Sequence, residues 1–265
     1  MNSIVQNTIW LLFIAITWAS CSKEQNCDPS DEESPCYAGV GAGDILLLME
    51  EKTNGKTELR FEYNDRNQVI LRHVHSIDGS ITSENFSYSG DKLTKMERIS
   101  NGQLVMSEEY SYGTGDKPET AVLKDNKGQV IVTIIYAYSD KRVTETSFDT
   151  DGNQIGSNTY TFDHKGNQLT RQIAGGGNSM NETLGDYDDK PNRYTNYPWS
   201  WKVGSVNNEQ SYSQSVQIPG GAASSRNLRW EYKYNEAGYP SKAEVYDQAS
   251  NVLVETRTFT YKKAN

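Results

Sequence analysis

With 265 residues the chain has the length of one large β domain or two ordinary ones. Its formal net charge of -9, with the Lys and Arg residues scattered and not gathered into a stripe, excludes nucleic acid as a natural partner because the field repels a phosphate backbone. Only 35% of the residues are hydrophobic, yet there are 17 Tyr against 6 Phe, which points to half-wetted sheet faces where a ring packs and its hydroxyl stays solvated.

In chain order the first element is an uncharged apolar run of ten residues, Ile9 to Trp18. That is about half of the roughly 20 residues a membrane-crossing helix needs, so residues 1–20 read as a signal peptide. The run ends in Trp18-Ala19-Ser20-Cys21, which resembles the lipobox of bacterial lipoproteins, with Trp18 where that motif usually has Leu. The resemblance implies cleavage before Cys21 and lipidation of Cys21 itself. An ordinary secretory signal is the alternative. Ser22, lacking the Asp that retains many lipoproteins at the inner membrane, favours the outer membrane, with the face undecided.

Residues 21–44 then read as lipid anchor and tether, rich in Ser, Asp, Glu and Pro. Within them Cys27 and Cys36 are expected to pair in an oxidising envelope; two unpaired thiols are the other reading. Two cysteines alone are too few to hold a structural zinc.

From residue 45 onward a single domain is organised by repeats. Pairs of aromatic residues two apart recur at Phe61/Tyr63, Phe86/Tyr88, Tyr110/Tyr112, Tyr136/Tyr138, Tyr160/Phe162, Tyr232/Tyr234 and Phe259/Tyr261. Counted on the second member, the steps from 63 to 88, 112, 138 and 162 are 25, 24, 26 and 24, and the next step, 162 to 234, is 72, or three times 24. Tyr187 and Tyr212 fall near the two missing positions. Residues two apart share a strand face, as in Val130, Val132, Ile134, Tyr136 and Tyr138. Polar turns follow the pairs, and Gly79, Gly102, Gly128, Gly152 and Gly176 mark a second series of turns between them. Two turns per repeat make the unit a β-hairpin with strands of roughly eight residues, about 27 Å long. The prediction is an all-β fold, a long antiparallel meander of about 16 strands.

This rhythm is similar to the tyrosine-rich YD repeats of secreted bacterial shell-forming proteins. Together with the lipobox, the tether and the run Tyr187-Asp188-Asp189-Lys190-Pro191-Asn192, it looks like a Bacteroides-type family of uncharacterised lipoproteins whose domain has a porin-like fold. Arg193 stands where that family's run continues with proline. The resemblance implies a barrel-like sheet over most of residues 45–262 and carries no catalytic residues. A porin-like outline need not be a pore, since strands such as TELRFEYND place charges on both faces. A closed barrel of 16 strands would have a lumen too wide for wall side chains to fill, so a curled or flattened sheet open at one side is expected.

Chemistry-bearing motifs are scarce. His73 and His75 share a strand face without an evident third ligand, and Asp149-Thr150-Asp151-Gly152-Asn153 begins like a calcium loop but continues with Gln154. The pairs Glu108/Glu109 and Asp188/Asp189 are adjacent, whereas glycosidase acids come from separated elements. No catalytic, metal-binding or cofactor-binding residue is expected. One stretch, residues 185–229, breaks the repeat, and its prolines eject it from regular sheet. It packs Tyr187, Tyr194, Tyr197, Trp199 and Trp201 together, either as a plug for the sheet core or as an exposed platform for a glycan or protein. The functional expectation is a lipid-anchored, non-catalytic binding or scaffold module, held to the membrane by its N-terminal lipid. A glycan-acting envelope hydrolase and an outer-membrane pore are the alternatives.

Overall fold

The computed structural model describes residues 41–265 except Thr195. The signal peptide and Cys21, Cys27 and Cys36 lie outside the described residues. Sixteen strands follow one another: β1 (Leu46–Thr53), β2 (Lys56–Tyr63), β3 (Val69–His75), β4 (Ile81–Ser89), β5 (Lys92–Ser100), β6 (Gln103–Tyr112), β7 (Pro118–Asp125) and β8 (Val130–Ser139). The second half comprises β9 (Arg142–Phe148), β10 (Gln154–Phe162), β11 (Gln168–Gly175), β12 (Asn178–Gly185), β13 (Ser211–Gln217), β14 (Ser224–Tyr234), β15 (Pro240–Asp247) and β16 (Leu253–Lys263).

Each strand pairs antiparallel with its sequence neighbours, and β1 pairs with β16 in a register running from Leu46↔Lys263 to Thr53↔Arg257. The barrel-like meander is as expected, and its seam is closed where an opening was expected. The physical reason lies in the irregular stretch. It is shorter than residues 185–229, because 211–217 and 224–234 are paired strands. The remainder, 186–210, enters the lumen and fills space that wall side chains could not reach.

The repeat has a mechanical explanation. The first ring is buried inside the barrel in six of the seven pairs, at Phe61, Phe86, Tyr110, Tyr136, Tyr160 and Phe259, and half-buried at Tyr232. The second is usually Tyr because its hydroxyl bonds to a carbonyl on the preceding strand. Tyr63 donates to Leu48 O and Tyr88 to Val69 O at 2.8 Å, and Tyr138 to Pro118 O and Tyr261 to Pro240 O at 2.7 Å. The period of about 25 residues follows from this bond recurring along the hairpins, except in β9–β10, where Phe162 has no hydroxyl, and in β13–β14, where Tyr234 donates to Asp188. At the opposite ends, loops such as 149–153 close on an aspartate side chain: Asp149 Oδ1 accepts from the Asp151 and Asn153 amides, and Gly152 takes a φ of 81°. The calcium-like run is therefore a hairpin turn.

The outer wall is polar. Glu62 and Lys233 stand exposed, and short ion pairs such as Lys124–Glu109 (2.5 Å) and Lys242–Glu244 (2.7 Å) lie along it. His73 is on this wall, bonded through Nδ1 to Ser83 Oγ. A spanning barrel needs a continuous outward apolar band, and here exposed aliphatic residues such as Ile70, Ile135 and Leu169 are interspersed with charged ones.

The two ends differ. Loops 64–68, 90–91, 113–117, 140–141, 163–167 and 235–239, the inserted segment 186–210 and both ends of the described chain lie at one end. The other end carries only short hairpin loops, and the lumen opens there.

Candidate functional site

The inserted segment is a plug with a zipped base. Asp188 N donates to Asn208 O (3.1 Å), Asn192 N to Val206 O (2.9 Å) and Gln210 N to Gly185 O (3.1 Å). The Tyr187–Asn192 run supplies this base. Asp188 Oδ1 accepts from the Lys190 and Asn208 amides, its other oxygen from the Tyr234 hydroxyl, and Asn192 Nδ2 donates to Asn207 O. Tyr187 donates to Gln168 O, filling the role that Tyr63 and Tyr88 play in complete repeats.

Beyond the base, Arg193, Tyr194, Tyr197, Trp199, Trp201 and Lys202 send side chains to strands around the wall, which places them in the lumen. Tyr194 donates to Glu51 on β1 and tilts against Phe61. Tyr197 takes a hydrogen bond from Arg72 on β3. Trp199, 8% exposed, meets Phe86 edge-on at 5.2 Å and donates its indole N–H to the Tyr110 hydroxyl at 2.6 Å. Trp201 is half-buried, edge-on to Tyr110 at 5.4 Å, and its indole N–H has no partner among the described residues. Of the five aromatic residues singled out from the sequence, the structure thus brings Tyr194, Tyr197, Trp199 and Trp201 together in the lumen and sets Tyr187 at the plug base.

Two cations that sequence reasoning passed over hold the plug in place. Lys202 reaches Glu145 on β9 at 2.6 Å. Arg193 pairs with Glu209 at 3.3 Å, and its guanidinium lies 4.7 Å from the Tyr194 ring centre, 5.3 Å from Phe259 and 5.6 Å from Trp230.

Carboxylates ring the lumen at the depth of the plug. Glu51 pairs with Arg257 (2.6 Å), and Glu84 with Arg98 (2.9 Å) and Arg72. Burial raises the Glu145 carboxyl, but the Lys202 ammonium and hydrogen bonds from Asn158 and Tyr160 outweigh it and hold the group below the ordinary glutamate value. Glu108 is pushed up, because burial outweighs the more distant Lys202 and the hydroxyls of Tyr110 and Tyr136, and Glu145 adds repulsion. Two carboxyls driven apart in this way have the electrostatics of an acid–base pair. Neither lines a cavity, and the bonds shown for Glu145 run to wall and plug.

Between the plug and the loops of β7–β11 lies a cavity of about 760 Å³. Its floor includes Trp201 and Tyr194, and its sides include Phe162, Lys117, Asp140 and Arg142. Asp140 and Arg142 are exposed, and neither has a side-chain hydrogen bond or ion pair among the described residues. Asp140, Arg142 and Phe162 meet across the β9–β10 ladder, where Phe162 N donates to Lys141 O at 2.9 Å, whereas Lys117, Tyr194 and Trp201 come from other parts of the chain that no spacing marks as their neighbours. Rings beside free carboxylate, ammonium and guanidinium groups can stack on an apolar ligand face and grip its hydroxyls.

No family model matches the chain, and no curated protein matches it. Among solved structures it is similar to a porin-like protein from Bacteroides uniformis ATCC 8492, at 13% identity and a TM-score of 0.49, over 82% of this chain and 95% of that one.

Proposed function

We propose that the protein is a lipid-anchored, non-catalytic binding module of the outer-membrane envelope that takes a glycan in the cavity beside the plug. The observation that carries this reading is the convergence there of Trp201 and Phe162 with the unpaired side chains of Asp140 and Arg142. Sugar rings present apolar faces to aromatic side chains and hydroxyls to charged ones, and the closed wall holds both sets fixed. The anchor belongs to this reading through Cys21, and with it the likeness to Bacteroides-type lipoproteins. A polar outer wall and a filled lumen support an accessory module in preference to a pore.

Calorimetric titration of the full chain against neutral and uronic-acid oligosaccharides tests it. Binding by the wild type that falls at least tenfold in Asp140→Ala/Arg142→Ala, with an unchanged melting temperature, supports the assignment. No binding across the panel, or full affinity in the double variant, refutes it. The split ionisation of Glu108 and Glu145 favours one other reading, an envelope glycan hydrolase. Release of reducing ends by the wild type that vanishes in Glu108→Gln would establish that reading instead.

A further inference from the structure

A second cavity, of about 490 Å³, lies at the opposite, open end of the barrel. Its inner wall is aliphatic: Leu123 and Val132 on adjacent β7 and β8, Ile134 beside them, Ile173 paired with Met180 across β11 and β12, and Val216 on β13. No aromatic ring and no charged side chain lines it. Between these walls Gly156 and Gly175 face each other across β10 and β11, where a Cβ on Gly175 would sit 2.9 Å from Ile155 O. The wall there is bare backbone, and the cavity gains room from it. Its polar lining residues are Ser147, Ser157, Asn158, Asn178 and Ser179, and Asn158 Nδ2 is committed to Glu145 at 2.8 Å.

The loops around this mouth carry exposed charged residues, Asp78, Lys127 and Asp151 among them, and exposed aliphatic ones as well. Ile77 is fully exposed in the β3–β4 loop, and Val105, Ile131, Ile155 and Val254 stand exposed near the starts of β6, β8, β10 and β16. Ile218 joins them from the β13–β14 loop. Exposed aliphatic residues gathered in one place mark a binding surface. Ile155 belongs to both sets and joins the mouth to the cavity. The described chain begins at the other end, where Asp44 pairs with Lys263, so residues 41–45 leave the mouth clear.

We propose that the mouth binds a single acyl chain, taken from a membrane lipid across its rim. A sugar would leave its hydroxyls unpaired on this wall. Interface hot spots for proteins are enriched in Trp, Tyr and Arg, whereas the exposed apolar residues named above are all Ile or Val. A flexible alkyl chain matches a largely aliphatic cavity, and the exposed aliphatic residues at its mouth give the chain apolar contacts on its way in. This site is separate from the glycan cavity and stands or falls independently of it.

The test uses the full chain with Cys21→Ala, so that no acyl group of its own competes, and cis-parinaric acid as the probe. Saturable binding near one equivalent, displaced by palmitate, is expected. Val132→Glu and Met180→Glu are expected to weaken it at least tenfold, and Ile173→Trp, which fills the cavity with apolar volume, provides the same readout if either charged variant fails to fold. Ile131→Asp/Val105→Asp is expected to slow uptake of the probe from phosphatidylethanolamine–phosphatidylglycerol vesicles while direct affinity stays within about twofold. Absence of saturable binding, or unchanged affinity in the cavity variants, overturns the proposal. So does a dimer in light scattering that dissociates in the rim variant, which would make a second copy of the chain the occupant.

Discussion

Replacing Trp199 by Ala asks whether the plug is part of the core. The indole is 8% exposed, meets Phe86 edge-on at 5.2 Å, lies under the Arg72 guanidinium at 5.2 Å and donates to Tyr110 at 2.6 Å. Truncating a buried Trp typically costs about 3–5 kcal/mol. The edge-on pair contributes roughly 0.5–1.5 kcal/mol within that figure, and the hydrogen bond a similar amount. Against a total stability of about 5–15 kcal/mol, the loss is a large fraction. For a domain of this size it lowers the melting temperature by roughly 6–20 °C. Trp199→Phe keeps the contact with Phe86 and loses the donor, so its decrease is smaller. Trp201→Ala is smaller too, since that ring is half-buried and its N–H is unpartnered. The assay is thermal unfolding followed by far-ultraviolet circular dichroism and by calorimetry. A melting temperature for Trp199→Ala within about 2 °C of the wild type, or equal losses for Trp199→Ala and Trp201→Ala, would refute the reasoning.

Three further predictions concern charge and anchoring. Lys202→Met leaves Glu145 buried without its cation, at a cost of about 3–5 kcal/mol. Because the wild-type Glu145 value is depressed, its contribution is present above the ordinary glutamate value and is lost as pH falls through the folded one. In the variant that dependence reverses, and melting curves from pH 4 to 8 should show the deficit shrinking toward acid. Glu108→Gln should raise the melting temperature at neutral pH, since the folded value of Glu108 is raised and stability is lost as pH rises through it. That gain disappears below the ordinary glutamate value, and a variant less stable than wild type at pH 7 would count against burial of the Glu108 carboxyl as a cost to the fold. Cys21→Ala should abolish labelling by a palmitate analogue and release the protein from the membrane fraction; undiminished labelling would assign the acyl group elsewhere.

The sequence by itself determined the repeat, its hairpin unit and the number of strands. Each of these is a local property: alternation puts Val130, Val132, Ile134, Tyr136 and Tyr138 on one face, and a turn needs its own Gly, Asn or Asp, as at Gly152 with a φ of 81°. The aromatic pairs were legible because most hairpins repeat the same tyrosine-to-carbonyl bond. Closure was not legible. It depends on contacts between residues near the two ends of the domain, such as Leu46 with Lys263, which leave no periodic trace. The same holds for the plug. The sequence showed Tyr194, Tyr197, Trp199 and Trp201 as a cluster, but whether they faced solvent or the lumen was decided by partners 57 to 143 residues away, Glu145 for Lys202 and Glu51 for Tyr194 among them. Asp140, Arg142 and Phe162 became neighbours of Trp201 only when the barrel closed around the plug. A strand's own pattern fixes which way its side chains point; only the closed sheet decides what they meet across the lumen.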